Sequence, residues 1–264
     1  MAASDRNASS RDSSLAWVEP AEALWGSEES VRVEPAPRVR LAALPQHSTE
    51  RREPIPWRAR LRHLARRTFD VAFAVLVLAV AAPLLALTIL AIRMESPGPA
   101  LFRQKRMGRG GRIFHLVKLR GMYVDAPARF PELYAYGAIG RQAVEGLFFH
   151  TAEDPRVTRV GRVIRKLSID ELPNFWNVLR GEMSIVGPRP EIPELAHLYG
   201  SHLAKFLSVK PGVTSPAKAT GRDSLSFADT LAQELSYVEQ RSFRRDVATI
   251  GRTAVSVVAG KNVS

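Results

Sequence analysis

Two adjacent carboxylates, Asp170 and Glu171, are where residue types and spacing most directly indicate chemistry. Such a pair can bind one hard divalent cation, typically Mg²⁺, while leaving a carboxylate oxygen free for nucleophilic attack. Basic side chains suited to neutralising a diphosphate stand nearby in the sequence: Arg162, Arg165, Lys166 and Arg189. The pattern is therefore compatible with chemistry at a phosphorus atom.

The same residues also have a purely structural interpretation. Ser168 precedes Glu171 by three residues and an apolar run follows, which is the pattern of a helix capping box. Asp170 would then only favour the dipole of the first helical turn. Capping does not account for the rigid loop Gly187-Pro188-Arg189-Pro190, which presents an arginine eighteen residues beyond Glu171. The residue types alone leave both interpretations open.

Composition restricts both the nucleophile and the partner. The 264 residues include no cysteine, which excludes a thiolate nucleophile, a disulfide and a Cys-ligated zinc site. The six histidines form no HExxH pattern. The net charge of +12 indicates an anionic partner: a nucleic acid, an anionic membrane surface or a phosphorylated small molecule. Residues 1–50 carry −3, so the remainder of the chain carries +15.

An uncharged apolar run of 22 residues, 71–92, is long enough to cross a bilayer as a helix. Pro83 lies near its middle and is expected to kink it. Basic residues flank both ends, which favours placing both flanks on the cytoplasmic side. A broken, re-entrant helix satisfies both observations. The alternatives are a single transmembrane helix with the tail outside, and a buried core helix.

The elements around this run complete the expected organisation. Residues 1–55 are polar and aperiodic, which predicts a disordered tail without a secretory signal peptide. In residues 56–69, Trp57, Leu61 and Leu64 recur at helical spacing among arginines, so this segment is expected to lie on anionic lipid head groups. Residues 101–120 are basic and interrupted by glycines, a pattern that fits either a phosphate cradle or a solvated hairpin. Within them, residues 113–120 are expected to form a short strand or a tight helix. Helices are expected over 191–209 and about 227–259.

A colinear set of motifs over about residues 60 to 258 resembles the bacterial sugar transferase family, the monotopic polyprenyl-phosphate phosphoglycosyl transferases. The motifs are Arg-Thr-Phe-Asp (67–70), an apolar helix with a central proline, Ser-Pro-Gly-Pro (96–99), Phe-x-Gln-x-Arg-x-Gly (102–108), Lys-x-Arg-x-Met (118–122), Asp-Pro-Arg-Val-Thr-x-x-Gly-Arg (154–162), Ser-x-Asp-Glu-Leu-Pro (168–173), Asn-Val-Leu-x-Gly-x-Met-Ser (177–184) and Val-Gly-Pro-Arg-Pro (186–190).

This resemblance implies transfer of a sugar 1-phosphate from a UDP-sugar to polyprenyl (undecaprenyl) phosphate, with release of UMP. It further implies that Asp170 is the nucleophile, forming an aspartyl phospho-sugar intermediate, and that Glu171, with Asp170, holds Mg²⁺. Four basic residues are expected to bind phosphate groups: Lys118, Arg120, Arg165 and Arg189. The product would start an exopolysaccharide, capsule, O-antigen or glycoprotein glycan.

The fold implied is mainly α with a small β component, in a monotopic protein of the bacterial inner membrane. The expected parts are the tail 1–55, membrane helices 56–95, a cytoplasmic catalytic core 96–190 and completing helices 191–264. Two departures from the family pattern stand out: Ala82-Pro83 replaces the usual Ser-Pro, and residues 124–152 form a longer connection, either a membrane- or substrate-covering loop or a surface insertion.

Two other classes of protein were considered. An inactive membrane-surface adaptor of the same fold would be favoured by loss of Asp170 or Arg189, and both are present. A nucleic-acid-binding protein would fit the charge, but the chain has no recognised binding motif and places much of its basicity beside the apolar run. Binding of nucleic acid is therefore not expected.

Overall fold

The computed structural model describes residues 57–134, 154–221 and 225–258. The predicted tail 1–55 and most of the predicted insertion 124–152 lie outside these ranges. The helices are α1 (Trp57–Glu95), α2 (Ala126–Arg129), α3 (Arg159–Lys166), α4 (Asn174–Leu179), α5 (Leu203–Phe206), α6 (Pro216–Thr220), α7 (Phe227–Glu239) and α8 (Phe243–Val258). The strands are β1 (Leu101–Met107), β2 (Ile113–Leu119), β3 (Ser184–Val186) and β4 (Gly212–Thr214). The predicted class, mainly α with a small β component, is confirmed.

The basic segment after α1 forms an antiparallel hairpin. Strands β1 and β2 pair in a register that places Leu101 opposite Leu119. The connection turns at Gly110 and Gly111, whose φ values of 69° and 77° lie in the left-handed region that glycine adopts without steric cost. Of the two alternatives for residues 113–120, the strand is therefore the one formed.

A second sheet pairs β3 and β4 in parallel, with Ser184 opposite Gly212 and Val186 opposite Thr214. The two backbone segments can approach closely because glycines face each other: a Cβ on Gly212 would lie only 2.1 Å from the nitrogen of Gly187. This pairing brings the Gly-Pro-Arg-Pro loop, which follows β3, beside the segment that leads into α6. The apolar cluster beneath it includes Phe175, Val178, Met183 and Tyr237.

Helix α1 runs without interruption through Pro83, and within the described ranges it is the one helix long and apolar enough to cross a membrane. One side packs on the rest of the protein, through residues such as Phe73, Ala74 and Ile92. The opposite side exposes apolar side chains to the surroundings: Val75, Leu76, Val80, Leu84, Leu87, Leu90 and Met94. An apolar surface of this extent indicates contact with lipid.

The apolar run of α1, residues 71–92, is fixed at both ends to the same folded unit. Directly before the run, Arg67 donates to the carbonyl oxygens of Val178 and Leu179 at 2.5 and 2.8 Å, and Asp70 accepts from the Ser184 hydroxyl at 2.9 Å. At the other end, the Glu95 carboxylate accepts the first free N–H groups of α3 at 2.7 and 3.0 Å. A carboxylate at this position satisfies amides that have no partner inside the helix.

The C-terminal region is more divided than predicted. Residues 191–209 do not form one helix: a 3-10 segment, Pro193–His202, is followed by the short α5. The single run expected over 227–259 is two helices, α7 and α8, separated at residues 240–242. Ser242 begins the second helix, since its carbonyl accepts the Asp246 N–H at 3.0 Å.

Candidate active site

Asp170 and Glu171 lie on a short 3-10 turn, Ile169–Glu171, between α3 and α4. The turn is entered through Ser168, the one non-glycine residue in the described ranges with a left-handed backbone, at φ 56°. Such a conformation costs about 1–2 kcal/mol in an L-residue, and strain of this kind clusters at functional sites. The Ser168 side chain makes no capping hydrogen bond to this turn, so the capping-box interpretation is wrong.

Two lysines from distant parts of the chain meet the carboxylate pair. The Lys118 ammonium lies 3.4 Å from Glu171 Oε1 and 3.8 Å from Asp170 Oδ2. The Lys218 ammonium contacts the other Glu171 oxygen, Oε2, and donates to the Val213 carbonyl at 2.9 Å. All four side chains are partly shielded from water, because the carboxylates are 14–15% exposed and the lysines 21–27%. Each of the two carboxylates therefore has at least one lysine ammonium group within 4 Å.

Asn177 holds the strand that carries Lys118 against the helix that follows Asp170. Its side-chain amide donates to the His115 carbonyl at 2.7 Å and accepts from the Val117 N–H at 3.1 Å. One asparagine thus acts as a strand partner for β2 while sitting on α4, where it is 1% exposed. This bidentate contact fixes Lys118 relative to the 3-10 turn.

Lys218 reaches the site through the second sheet. Strand β4 ends at Thr214, and the Ser215 hydroxyl then caps α6 by accepting the Lys218 N–H at 3.1 Å. Proline at the first helical position suits this start, since its missing N–H needs no partner there. Neither Lys218 nor Asn177 was identified from the sequence. The available signals were a polar residue inside an apolar helix and the Ser-Pro helix start.

Arg120, one of the predicted phosphate-binding residues, is placed away from the carboxylate pair. Its guanidinium donates to the carbonyl oxygens of Ser96 and Pro97 at 2.8 and 2.5 Å, and to the Ser96 hydroxyl at 3.0 Å. The side chain is buried beneath the end of α1. Phosphate binding at Arg120 stays a prediction, while the structure gives this residue the contacts of a helix-end anchor.

Arg165 lies in the last turn of α3, five residues before Asp170, with its aliphatic stem close to Gly121. Helix α3 itself packs tightly on this point: a Cβ on Gly161 would lie 1.9 Å from the Gly121 carbonyl oxygen. The loop before α3 is held by Asp154, whose carboxylate accepts two N–H groups of Arg156 at 2.9 and 2.8 Å. This close packing of α3 on Gly121 places Arg165 beside the end of β2, the strand that carries Lys118.

Arg189 stands over a buried acidic pair. Its Nε lies 3.8 Å from Glu191 Oε1, and its own side chain is 41% exposed. Burial raises the pKa of Glu191, although the charges of Arg189 and Arg106 oppose the shift. Burial also raises the pKa of Glu234 to about 8, against the opposing effects of Ser215 and Arg189. The partly exposed Arg189 is thus paired with the buried carboxylate of Glu191, two residues later in the same loop.

The donor set was compared with the requirements of Mg²⁺. In the part of the chain that the structure describes, no group of three or more His, Asp or Glu residues could hold a metal ion. Mg²⁺ commonly uses only one or two protein carboxylates and takes its other ligands from water and substrate phosphates. Asp170 and Glu171 therefore fit a cation that is shared with a bound diphosphate.

Comparison with known proteins matches most of the chain to one family. A family model described as "Bacterial sugar transferase" covers residues 61–260. The chain is 39% identical over 207 residues to the UDP-glucose:undecaprenyl-phosphate glucose-1-phosphate transferase of Caulobacter vibrioides, covering 75% of this chain and 72% of that protein. It is 34% identical over 194 residues to the exopolysaccharide production protein ExoY of Sinorhizobium fredii, covering 74% and 85%.

Other relatives are longer. The chain is 36% identical over 198 residues to the galactosyl transferase CpsE of Streptococcus agalactiae, which covers 75% of this chain but 43% of CpsE. It is 35% identical over 193 residues to the undecaprenyl-phosphate galactose phosphotransferase of Salmonella typhimurium, covering 40% of that protein. The chain thus spans about two fifths of the length of these two relatives.

Proposed function

Because this chain belongs to the bacterial sugar transferase family, we propose that it transfers a sugar 1-phosphate from a UDP-sugar to undecaprenyl phosphate. The products are UMP and an undecaprenyl-diphosphate sugar, the starting unit of a polysaccharide or glycan. The observation that carries this proposal is the Asp170–Glu171 pair, shielded from water and in contact with Lys118, within the matched region. Three of the relatives reported above are named for transfer of glucose or galactose, so a hexose is the proposed sugar.

The reaction is proposed to proceed in two displacements at one phosphorus atom. An oxygen of Asp170 attacks the phosphorus next to the sugar, forming an acyl-phosphate bond while the bond to the bridging oxygen breaks and UMP leaves. An oxygen of undecaprenyl phosphate then attacks the same phosphorus and releases the Asp170 carboxylate. Dividing a difficult transfer in this way is covalent catalysis, and with no cysteine in the chain a carboxylate is a suitable nucleophile.

The surrounding charges support this chemistry. Lys118 lies 3.8 Å from Asp170 Oδ2, close enough to stabilise negative charge on a phosphoryl group bound beside the nucleophile. Arg165 and Arg189 are proposed to hold the diphosphate, with Arg189 presented at the surface by the loop after β3. Mg²⁺, held by Glu171 and Asp170 together with the diphosphate, would supply neutralisation of the transferring charge.

The proposed location is the cytoplasmic face of the inner membrane. Both ends of the apolar run within α1 contact one folded unit, Arg67 and Asp70 directly before the run and Glu95 after it. A helix that crossed the roughly 30 Å hydrocarbon layer would place these contacts on opposite sides of it. The basic flanks favour the cytoplasmic side for both. This arrangement would let a soluble nucleotide sugar and a lipid phosphate meet at one site, beside anionic lipids.

The test is release of UMP by the purified full chain in detergent, with a panel of UDP-hexoses and Mg²⁺. We expect at least one donor to give UMP and a lipid-linked sugar in excess over the enzyme. Both products should reach that excess only when undecaprenyl phosphate is present. An inactive adaptor of the same fold would release no UMP from any donor while still binding membranes. That outcome would overturn the proposed activity.

A further inference from the structure

Lys218 has no role in the chemistry proposed above, yet its ammonium group lies inside the site. It contacts Glu171 Oε2, while Lys118 lies 3.4 Å from Oε1 of the same carboxylate. Each oxygen of Glu171 therefore faces one ammonium group. Asp170, by contrast, has Lys118 at the longer distance of 3.8 Å.

The position of Lys218 is fixed by the fold on both sides of it. The Ser215 hydroxyl caps its backbone N–H, and the Val213 carbonyl accepts from its ammonium at 2.9 Å. Both partners belong to the β4–α6 segment, so the lysine is held by its own element and directed at Glu171. A lysine loses considerable side-chain entropy when held in this way, which a solvated surface lysine would not do.

A divalent cation and Lys218 compete for the same carboxylate. A cation bound to Glu171 would lie within a few ångströms of the ammonium groups already there, which repel it strongly in a poorly hydrated site. A bound diphosphate adds negative charge and gives the displaced ammonium group a new partner. Metal binding should therefore be weak in the free protein and strengthened by the substrate.

We propose that Lys218 is a built-in counter-cation that competes with a divalent metal ion for Glu171 and thereby couples metal binding to binding of the diphosphate substrate. This inference rests on the proposed function for its choice of metal and substrate. It concerns affinity for the metal, however, and can be measured without turnover.

The experiment measures Mn²⁺ binding to the detergent-purified full chain without substrate, by the electron paramagnetic resonance signal of free Mn²⁺. We expect Lys218→Met to bind Mn²⁺ about tenfold or more tightly than wild type, because one positive charge has been removed beside the carboxylates. Lys218→Arg keeps the charge and should bind as weakly as wild type. Lys205→Met, which removes an exposed lysine paired with Glu239, is the matched control and should not change affinity.

Further arms separate this inference from the proposed function. Glu171→Gln in the Lys218→Met background should abolish the gained Mn²⁺ affinity, and adding UDP should tighten binding in wild type more than in Lys218→Met. Unchanged Mn²⁺ affinity in both Lys218→Met and Lys218→Gln, with wild-type circular dichroism, would overturn the inference even if UMP is released. A tenfold gain with no UMP release by wild type would support the inference and contradict the proposed transfer.

Discussion

Asp170 and Glu171 both lie within reach of the Lys118 ammonium group. It is 3.8 Å from Asp170 Oδ2 and 3.4 Å from Glu171 Oε1, and Lys218 contacts the other Glu171 oxygen. A positive charge beside Asp170 can stabilise the negative charge of a phosphoryl group bound there. In the proposed reaction Asp170 is the nucleophile, and Glu171 is the carboxylate that binds the metal ion with it.

The assignment predicts that Asp170→Asn abolishes transfer. The amide keeps the size of the side chain but is not nucleophilic, so UMP release should fall by about 10³-fold or more. Wild type incubated with a UDP-sugar labelled in the sugar, without lipid acceptor, should retain label on the protein, and Asp170→Asn should not. Arg180→Ala is the control, because Arg180 is 61% exposed and pairs with Glu182 outside the site. Equal activity in the two folded variants would contradict the assignment.

The buried carboxylate Glu234 predicts a pH dependence of stability. Its pKa is about 8 in the folded protein, against an ordinary value of 4.5, because burial next to Glu191 disfavours its charged form. The folded state therefore holds a proton that the unfolded state releases between these two values, and stability falls as pH rises from about 4.5 to 8. The full shift corresponds to about 4–5 kcal/mol.

Glu234→Gln removes this titration while keeping the shape of the side chain. We expect the variant to gain stability relative to wild type steadily from pH 5 to pH 8, as measured by thermal unfolding in detergent. Glu191, which also faces Glu234 and whose pKa burial also raises, is present in both proteins. A constant difference between the two proteins across this range would show that Glu234 is not protonated in the fold.

Sequence reasoning found the residues that carry a recognisable motif and missed those defined by long-range packing. Asp170, Glu171 and Lys118 lie in short patterns, and the structure brings them together. Lys218 lies 47 residues from Glu171, and only the parallel pairing of β3 with β4 brings it near. Asn177 could be predicted only as a polar residue on a helix, since the neighbouring sequence does not show that its side chain contacts the backbone of β2.

At the level of elements, the end of α1 is tied to both parts of the site. Arg120, two residues after Lys118, binds Ser96 directly after α1, and Glu95 caps α3, which leads to Asp170. The family resemblance implied that Arg120 binds phosphate, and that role stays a prediction. The contacts of its guanidinium with carbonyl oxygens could not be read from the motif, because the residues it contacts lie more than twenty positions earlier in the chain.

These contacts predict that Arg120→Ala destabilises the protein. The change removes the donor from the carbonyl oxygen of the buried Ser96, and from that of Pro97 at the surface, at a cost of about 1–3 kcal/mol. Thermal unfolding in detergent should show a clearly lowered midpoint, whereas Arg129→Ala, an exposed arginine paired with Asp125, should not. If Arg120→Ala unfolds like wild type but raises the KM for the UDP-sugar, Arg120 binds phosphate and the anchor role is wrong.

The remaining elements were predictable to different degrees. Glycines at 110 and 111 signalled the turn of the hairpin, but alternating basic and apolar residues did not separate strand from helix there. The C-terminal run looked continuous because α7 and α8 are both amphipathic. Tertiary contacts hold the two separate helices in place: Asp246 of α8 accepts from the Tyr237 hydroxyl of α7 at 2.6 Å and pairs with Arg66 at 2.7 Å. Such tertiary contacts override local helical preference.

At the scale of the whole molecule, the orientation of α1 depends on where its two ends are attached. The sequence predicted a break in the helix at Pro83, but α1 is continuous through that residue. The contacts of Arg67, Asp70 and Glu95 nevertheless join both ends to one folded unit. The exposed apolar side of α1 can then face lipid while both ends stay on the side of that unit.

Single cysteines test this topology cleanly, because the natural chain has none. Glu50→Cys lies before the membrane segment in the sequence. Lys105→Cys lies after it, at an exposed position of β1 where the reagent can reach the thiol. A membrane-impermeant maleimide should label both in inverted inner-membrane vesicles and neither in intact spheroplasts. Val80→Cys, near the middle of the exposed apolar side, should react in neither preparation until detergent is added, because lipid covers it.

The three sites together separate the possible arrangements. A helix that crosses the bilayer would expose residue 50 to the reagent in spheroplasts and residue 105 in inverted vesicles, and would contradict the re-entrant arrangement. A core helix of a protein bound only at the surface would leave Val80→Cys reactive in vesicles, since 72% of this side chain is exposed in the absence of lipid. Protection at residue 80 with both flanks on the cytoplasmic side would show that the apolar side of α1 is covered by lipid while both flanks stay on the side of the folded domain, as the re-entrant arrangement requires.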